Sequence, residues 1–158
     1  MEPSQPIILE LPDEAATERL GHRLAQAVRP GDVIALGGDL GSGKTTLARA
    51  FIRALTDAEE EVPSPTFTLV QSYDCPLGPI WHFDLYRLDK PEDALELGIE
   101  DAFADGISLI EWPERLGPWL PADHLSVRLE AGHRPTARRA RLDGGSPWSQ
   151  RLREMFGA

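Results

Sequence analysis

A chain of 158 residues with 41% apolar and 27% charged side chains is long enough to bury a sizeable core as one soluble domain. Its net charge of −10 argues against a protein that grips nucleic acid by itself, because such binding rests on neutralising phosphates. One cysteine and four scattered histidines rule out an internal disulfide and a zinc-type ligand cluster, and no apolar run is long enough to span a membrane.

The opening Met1-Glu2-Pro3-Ser4-Gln5-Pro6 lacks the basic-then-apolar layout of a secretory signal, so a cytosolic location is expected. Ile7-Ile8-Leu9-Glu10-Leu11 reads as a first strand, ended by Pro12, with Asp13 placed to cap a helix over Glu14 to Val28. Arg29-Pro30-Gly31-Asp32 is a turn before the apolar strand Val33-Ile34-Ala35-Leu36.

Gly38-Asp39-Leu40-Gly41-Ser42-Gly43-Lys44-Thr45-Thr46 then matches the phosphate-loop pattern of Gly, four residues and Gly-Lys-Ser/Thr. Leu47 to Leu55 follows with helical spacing, so the loop joins a strand to a helix, as that chemistry requires. Glycines let backbone N–H groups approach phosphate oxygens at the positive end of the helix. Lys44 is expected along the β- and γ-phosphates, and Thr45 to offer its hydroxyl to Mg²⁺. The pattern thus points to a bound nucleoside triphosphate.

Asp57 to Glu61 should be an exposed acidic connection, and Phe67 to Tyr73 a strand entered through Pro63-Ser64-Pro65-Thr66. The two prolines hold Ser64 either as a fixed loop beside the phosphates or simply as a rigid strand entry. Asp74 to Pro79 is a turn, making a hairpin with Ile80 to Leu88. Alternation there puts Trp81, Phe83 and Leu85 on one side and His82, Asp84 and Tyr86 on the other. Asp84 reads equally as a residue holding Mg²⁺ through water and as a hydrogen-bonded strand end.

Pro91 to Gly98 carries the marks of a short helix, and Ile99 to Ala104 of a second. Ile107-Ser108-Leu109-Ile110-Glu111 is an apolar strand stopping on a carboxylate, cut off by Trp112-Pro113-Glu114. Glu111 is either the acid delivered to Mg²⁺ or the attacking water, or a solvent-facing strand end. Leu125 to Glu130 alternates as a strand, Arg138 to Leu142 is placed to pair with it, and Trp148 to Phe156 to close the chain as a helix.

Charge is uneven: residues 1–123 carry 9 basic and 23 acidic side chains, residues 124–158 carry 7 and 3. The basic tail, with Arg134, Arg138, Arg139 and Arg141, is either a solvated face near the nucleotide or a contact for an anionic partner. Hairpin signals outnumber crossover helices, so the fold class is α/β with a mixed central sheet flanked by helices, one P-loop domain over residues 1–158.

With those residues in view, the chain resembles the bacterial TsaE family, small ATPases of tRNA threonylcarbamoyladenosine synthesis. The resemblance runs from about Leu11 to Pro113. It rests on the phosphate loop, Ser64-Pro65-Thr66-Phe67-Thr68-Leu69-Val70, His82-Phe83-Asp84-Leu85-Tyr86-Arg87-Leu88, Glu96-Leu97-Gly98 and Glu111-Trp112-Pro113-Glu114, in that order. It implies an ATP- and Mg²⁺-dependent ATPase acting with TsaB and TsaD, which handle the tRNA and transfer the threonylcarbamoyl group.

By the same match, Gly41, Ser42, Gly43, Lys44, Thr45 and Thr46 hold the phosphates, Thr45 and Glu111 serve Mg²⁺, and Asp84 lies near the metal. Asp13-Glu14 and Arg134 border the adenine, and Trp112 stands beside the nucleotide. Phe67 departs from the family, where many relatives have tyrosine. A small-molecule kinase of similar length is disfavoured because no arginine-rich lid follows the loop helix; a nucleotide-dependent binding switch is the other alternative.

Overall fold

The computed structural model describes residues 6–39, 41–65 and 68–156. Strand β1 (Ile7–Leu11) leads to Asp13, whose extended backbone and Oδ1, accepting from the Ala16 N–H at 2.9 Å, cap helix α1 (Glu14–Ala27). Strand β2 (Val33–Gly38) feeds helix α2 (Lys44–Leu55), three residues longer at its start than the apolar spacing alone suggests.

α1 and α2 pack closely because Gly21 stands at their crossing. A Cβ built there would lie 2.7 Å from the Leu47 carbonyl oxygen and 3.0 Å from the Ala50 Cβ. A backbone carbonyl cannot swing aside as a side chain would, so the clash outweighs the ~1 kcal/mol that alanine gains in helix propensity. Gly21→Ala is therefore expected to destabilise the fold by about 1–2 kcal/mol. Urea unfolding should show this as a lower midpoint at unchanged slope.

The remaining elements are β3 (Val70–Cys75), β4 (Gly78–Asp84), a 3₁₀ helix (Pro91–Leu97), α3 (Ile99–Asp105), β5 (Ile107–Glu111), a second 3₁₀ helix (Pro113–Trp119), β6 (Leu125–Ala131), β7 (Arg138–Gly144) and α4 (Ser146–Phe156). The seven strands form one mixed sheet in the order β1-β7-β6-β2-β5-β4-β3. β2 runs parallel to both β5 and β6, and β4 parallel to β5, while β1, β3 and β7 pair antiparallel. One core, with Leu24, Leu47, Phe51, Leu109 and Trp148, lies against α1, α2 and α4; a second, with Phe83, Ile99, Ile110 and Leu116, lies under α3 and the 3₁₀ helices. The mixed α/β architecture expected from the hairpin signals is the one observed.

Several strand boundaries differ from the sequence expectation, most at β3 and β4. β3 begins at Val70, not Phe67, because Leu69 adopts a left-handed backbone (φ 67°) and its N–H bonds to the Pro65 carbonyl. Thr66 and Phe67 lie outside the described residues, as does Leu40 of the phosphate loop. β4 stops at Asp84 because its carboxylate accepts from the Tyr86 N–H at 3.1 Å, turning the chain, and Leu88 N–H then bonds to the Leu85 carbonyl. At the other end the ladder runs to Cys75–Gly78, so the hairpin loop is only Pro76-Leu77. No helix among the described residues is long and apolar enough to cross a membrane.

Candidate functional site

The sheet places the phosphate-loop strand at its centre. Gly38, the last residue of β2, has φ 132°, and a Cβ there would come within 2.5 Å of the Leu129 carbonyl and 2.7 Å of Ser42 Oγ, so the loop leaves the strand by a path only glycine fits. Gly43, at φ 102°, caps α2. The helix therefore begins at Lys44, with first-turn N–H groups that have no partner within it. Gly41, Gly43, Lys44, Thr45 and Thr46 line the base of a cavity of about 390 Å³.

Lys44 is buried, with Nζ donating to the Gly38 carbonyl at 2.6 Å and standing 3.5 Å from the centroid of the Trp112 ring. Burial pulls its ammonium below the ordinary lysine range, while Glu111, Glu114, Asp84 and Asp39 oppose that pull. A cation so held is ready for an anionic ligand. Trp112 is itself held in a left-handed backbone (φ 60°), with Tyr86 against it at 5.0 Å between ring centroids.

The acids arrive from neighbouring strands. Parallel pairing sets Leu36 of β2 beside Glu111 of β5, and Glu111 beside Asp84 of β4, so both carboxylates stand at the strand ends next to the loop. Glu111 is 2% exposed, which excludes the solvent-facing reading of this strand end. Its Oε1 accepts from the Thr45 hydroxyl at 3.2 Å, with Oε2 at a longer 3.5 Å from the same hydroxyl, and Oε2 lies 2.7 Å from His82 Nε2. Asp84 lines the cavity as well as turning the chain through Tyr86, so both readings of it describe the same side chain.

The rest of the lining comes from Glu14 and Thr17 of α1, Ser64, Trp112, Thr136 and Arg138. Ser64 thus stands beside the loop, not merely at a strand entry. Ser42 is absent from this lining: it packs behind the loop toward Gly38. Arg134, expected at the adenine, is also absent. It is exposed on the turn, its carbonyl accepting from Ala137 N–H, while Thr136 and Arg138 of the same segment line the cavity. Arg138 Nε donates to the Ser42 carbonyl at 2.8 Å and Nη2 to the Gly41 carbonyl at 3.0 Å, clamping the loop from β7.

Comparison with known proteins decides the family. A family model described as "Threonylcarbamoyl adenosine biosynthesis protein TsaE" matches residues 11–140. The chain belongs to the TsaE family. It is 41% identical over 121 residues to the protein named tRNA threonylcarbamoyladenosine biosynthesis protein TsaE of Rickettsia conorii, covering 77% of this chain and 69% of that one. The TsaE of Haemophilus influenzae is 39% identical over 126 residues, 76% of this chain and 79% of its own. Among solved structures, Bacillus subtilis YdiB superposes with a TM-score of 0.78 at 27% identity, covering 98% of this chain and 95% of that one. The fold is therefore that of TsaE-type P-loop proteins along almost the whole chain, including the tail where the sequence resemblance is loose.

Thr17 and Thr136 line the cavity with no local signal, and two further residues of this TsaE site escape sequence reasoning. Arg138 stands out only as one basic residue among several, and nothing local says that its guanidinium meets carbonyls 96 and 97 positions away. His82 shares a strand face with Asp84 in the alternation, a signal that places it near Glu111 once β4 and β5 are known to be neighbours.

Proposed function

We propose that this chain binds ATP with Mg²⁺ at residues 41–46 and hydrolyses it as a component of the tRNA threonylcarbamoyladenosine machinery, in the cytosol with TsaB and TsaD, which hold the tRNA. The observation that carries this is the Thr45 hydroxyl bonded to Glu111 at the head of α2. Among the described residues no group of three or more His, Cys, Asp and Glu is arranged to hold a metal alone. Thr45, Glu111 and Asp84 instead offer a few hard oxygen donors, a set that suits Mg²⁺ shared with substrate phosphates.

Bound Mg²⁺ would neutralise charge on the phosphate oxygens. The chain's own residues do the rest. First-turn N–H groups of α2 and the Lys44 ammonium cradle the phosphates, and Glu111, with Asp84 beside it, orients water or metal. Water oxygen bonds to the γ-phosphorus as the bond to the bridging oxygen breaks, and its proton leaves with the phosphate.

Arg138 is the only arginine among the described lining residues, and four of its five N–H groups are taken up by the carbonyls of Gly41, Ser42, Pro135 and Ala137. The described lining holds no second arginine to serve the γ-phosphate, so turnover by the chain alone should be slow and stimulated by its partners.

The deciding experiment measures ATP hydrolysis by this chain alone and with TsaB and TsaD of its own organism, with Lys44→Ala as the blank. Stimulation that disappears in the variant supports both site and partners; equal rates with and without partners would remove the partner assignment. Arg138→Ala provides a milder check. Loosening two loop carbonyls should weaken ATP binding about tenfold, ~1.4 kcal/mol, a modest figure because the guanidinium is partly exposed. Titration with a fluorescent ATP analogue reads this directly.

A further inference from the structure

We propose that His82 is a positioning residue for this site, fixing the carboxylate of Glu111 so that its other oxygen meets Thr45. The proposal rests on the ATP-hydrolysing reading above. His82 is fully buried on β4, on the same strand face as Asp84, and its neighbour across the parallel ladder is Leu109, two residues before Glu111. That geometry brings its Nε2 to 2.7 Å from Glu111 Oε2.

A carboxylate only accepts hydrogen bonds, and Glu111 already accepts from the Thr45 hydroxyl. The proton between His82 and Glu111 therefore sits on Nε2, and the imidazole donates. Its Nδ1 has no partner among the described residues. Here the one bonded nitrogen faces the acid beside the phosphate loop.

The terminal torsion of a glutamate is soft, so without a fixed donor the carboxylate plane turns freely. A short bond to an ionised oxygen locks that plane. With Oε2 held by His82, Oε1 is left facing Thr45, and the Thr45 hydrogen points at Glu111. Its oxygen lone pairs are thereby left for a cation on the cavity side. Outer partners of this kind change metal affinity or activity by about 10–100-fold when removed.

The test uses His82→Leu, which deletes the donor, and His82→Gln, whose amide N–H keeps one near the Nε2 position. In the nucleotide-free full chain, ¹⁵N spectra of the imidazoles should show His82 as the Nε2–H tautomer. The signal, assigned by its loss in His82→Leu, should move in Glu111→Gln. His82→Leu should raise the Mg²⁺ concentration needed for half-maximal ATP turnover by about 10–100-fold, and leave ATP affinity without Mg²⁺ within about twofold. His82→Gln should recover part of that loss.

An Nδ1–H tautomer, or a folded His82→Leu with wild-type Mg²⁺ dependence, overturns the proposal for His82 alone. Equal loss of stability in both variants, with Mg²⁺ dependence unchanged per folded molecule, does the same. A wild-type chain that neither binds nor turns over ATP overturns the underlying reading, and the role of His82 falls with it.

Discussion

Lys44→Ala is expected to reduce ATP hydrolysis to the buffer background and to weaken ATP binding by about 100-fold or more, in a chain that still folds. The ammonium is bonded to the Gly38 carbonyl and lines the cavity, and it sits where burial makes each charge-assisted bond count for more than it would in water. Folding should survive for reasons of opposite sign. Alanine is the best helix former at the first turn of α2, and removing a buried cation also removes its desolvation cost. Against this, the Gly38 carbonyl loses its donor and Trp112 the cation over its ring. Circular-dichroism melting beside a fluorescent-ATP titration separates the two effects. A variant that binds ATP as the wild type does would place the nucleotide elsewhere on the chain.

How far the sequence reached follows from the range over which each signal acts. The phosphate loop, the Asp13 cap and the β5 strand ending on Glu111 are local patterns, set by glycine conformation, capping and apolar runs, and they were legible with correct boundaries or nearly so. The boundary at Leu69 was not, because its left-handed backbone is held by a bond to Pro65 and by the Asp84 N–H donating to its carbonyl across the hairpin, neither of which a β-rich composition reveals. Asp84 was legible as a candidate, but its double use, turning β4 while facing the cavity, depends on where β4 ends. The tail was least legible. Arg134 and Arg138 are both basic residues near one turn, and only the register of β7 against β6 and β1 decides that Arg138 reaches the loop.

Glu111→Gln should lower the turnover number for ATP about 10²–10³-fold while leaving ATP affinity within about threefold. The substitution keeps size and packing but replaces two acceptor oxygens by one oxygen and an amide NH₂. His82 donates and so claims the single oxygen, which turns the NH₂ toward Thr45, where a hydroxyl has been donating to a carboxylate. Thr45 must then rotate its hydrogen away and present a lone pair to the amide, and the negative charge that would orient metal or water is gone. The phosphate cradle proposed for the first turn of α2 and Lys44 is left in place, which is why affinity should hold while rate falls. The same variant separates an ATPase from a nucleotide-dependent switch. A switch needs only the bound state, so the variant would still support threonylcarbamoyl transfer by TsaB and TsaD. A component whose hydrolysis resets the complex would bind its partners with ATP, pass through one turnover and stall there, and a burst followed by a plateau in modified tRNA is the result expected under the proposed function.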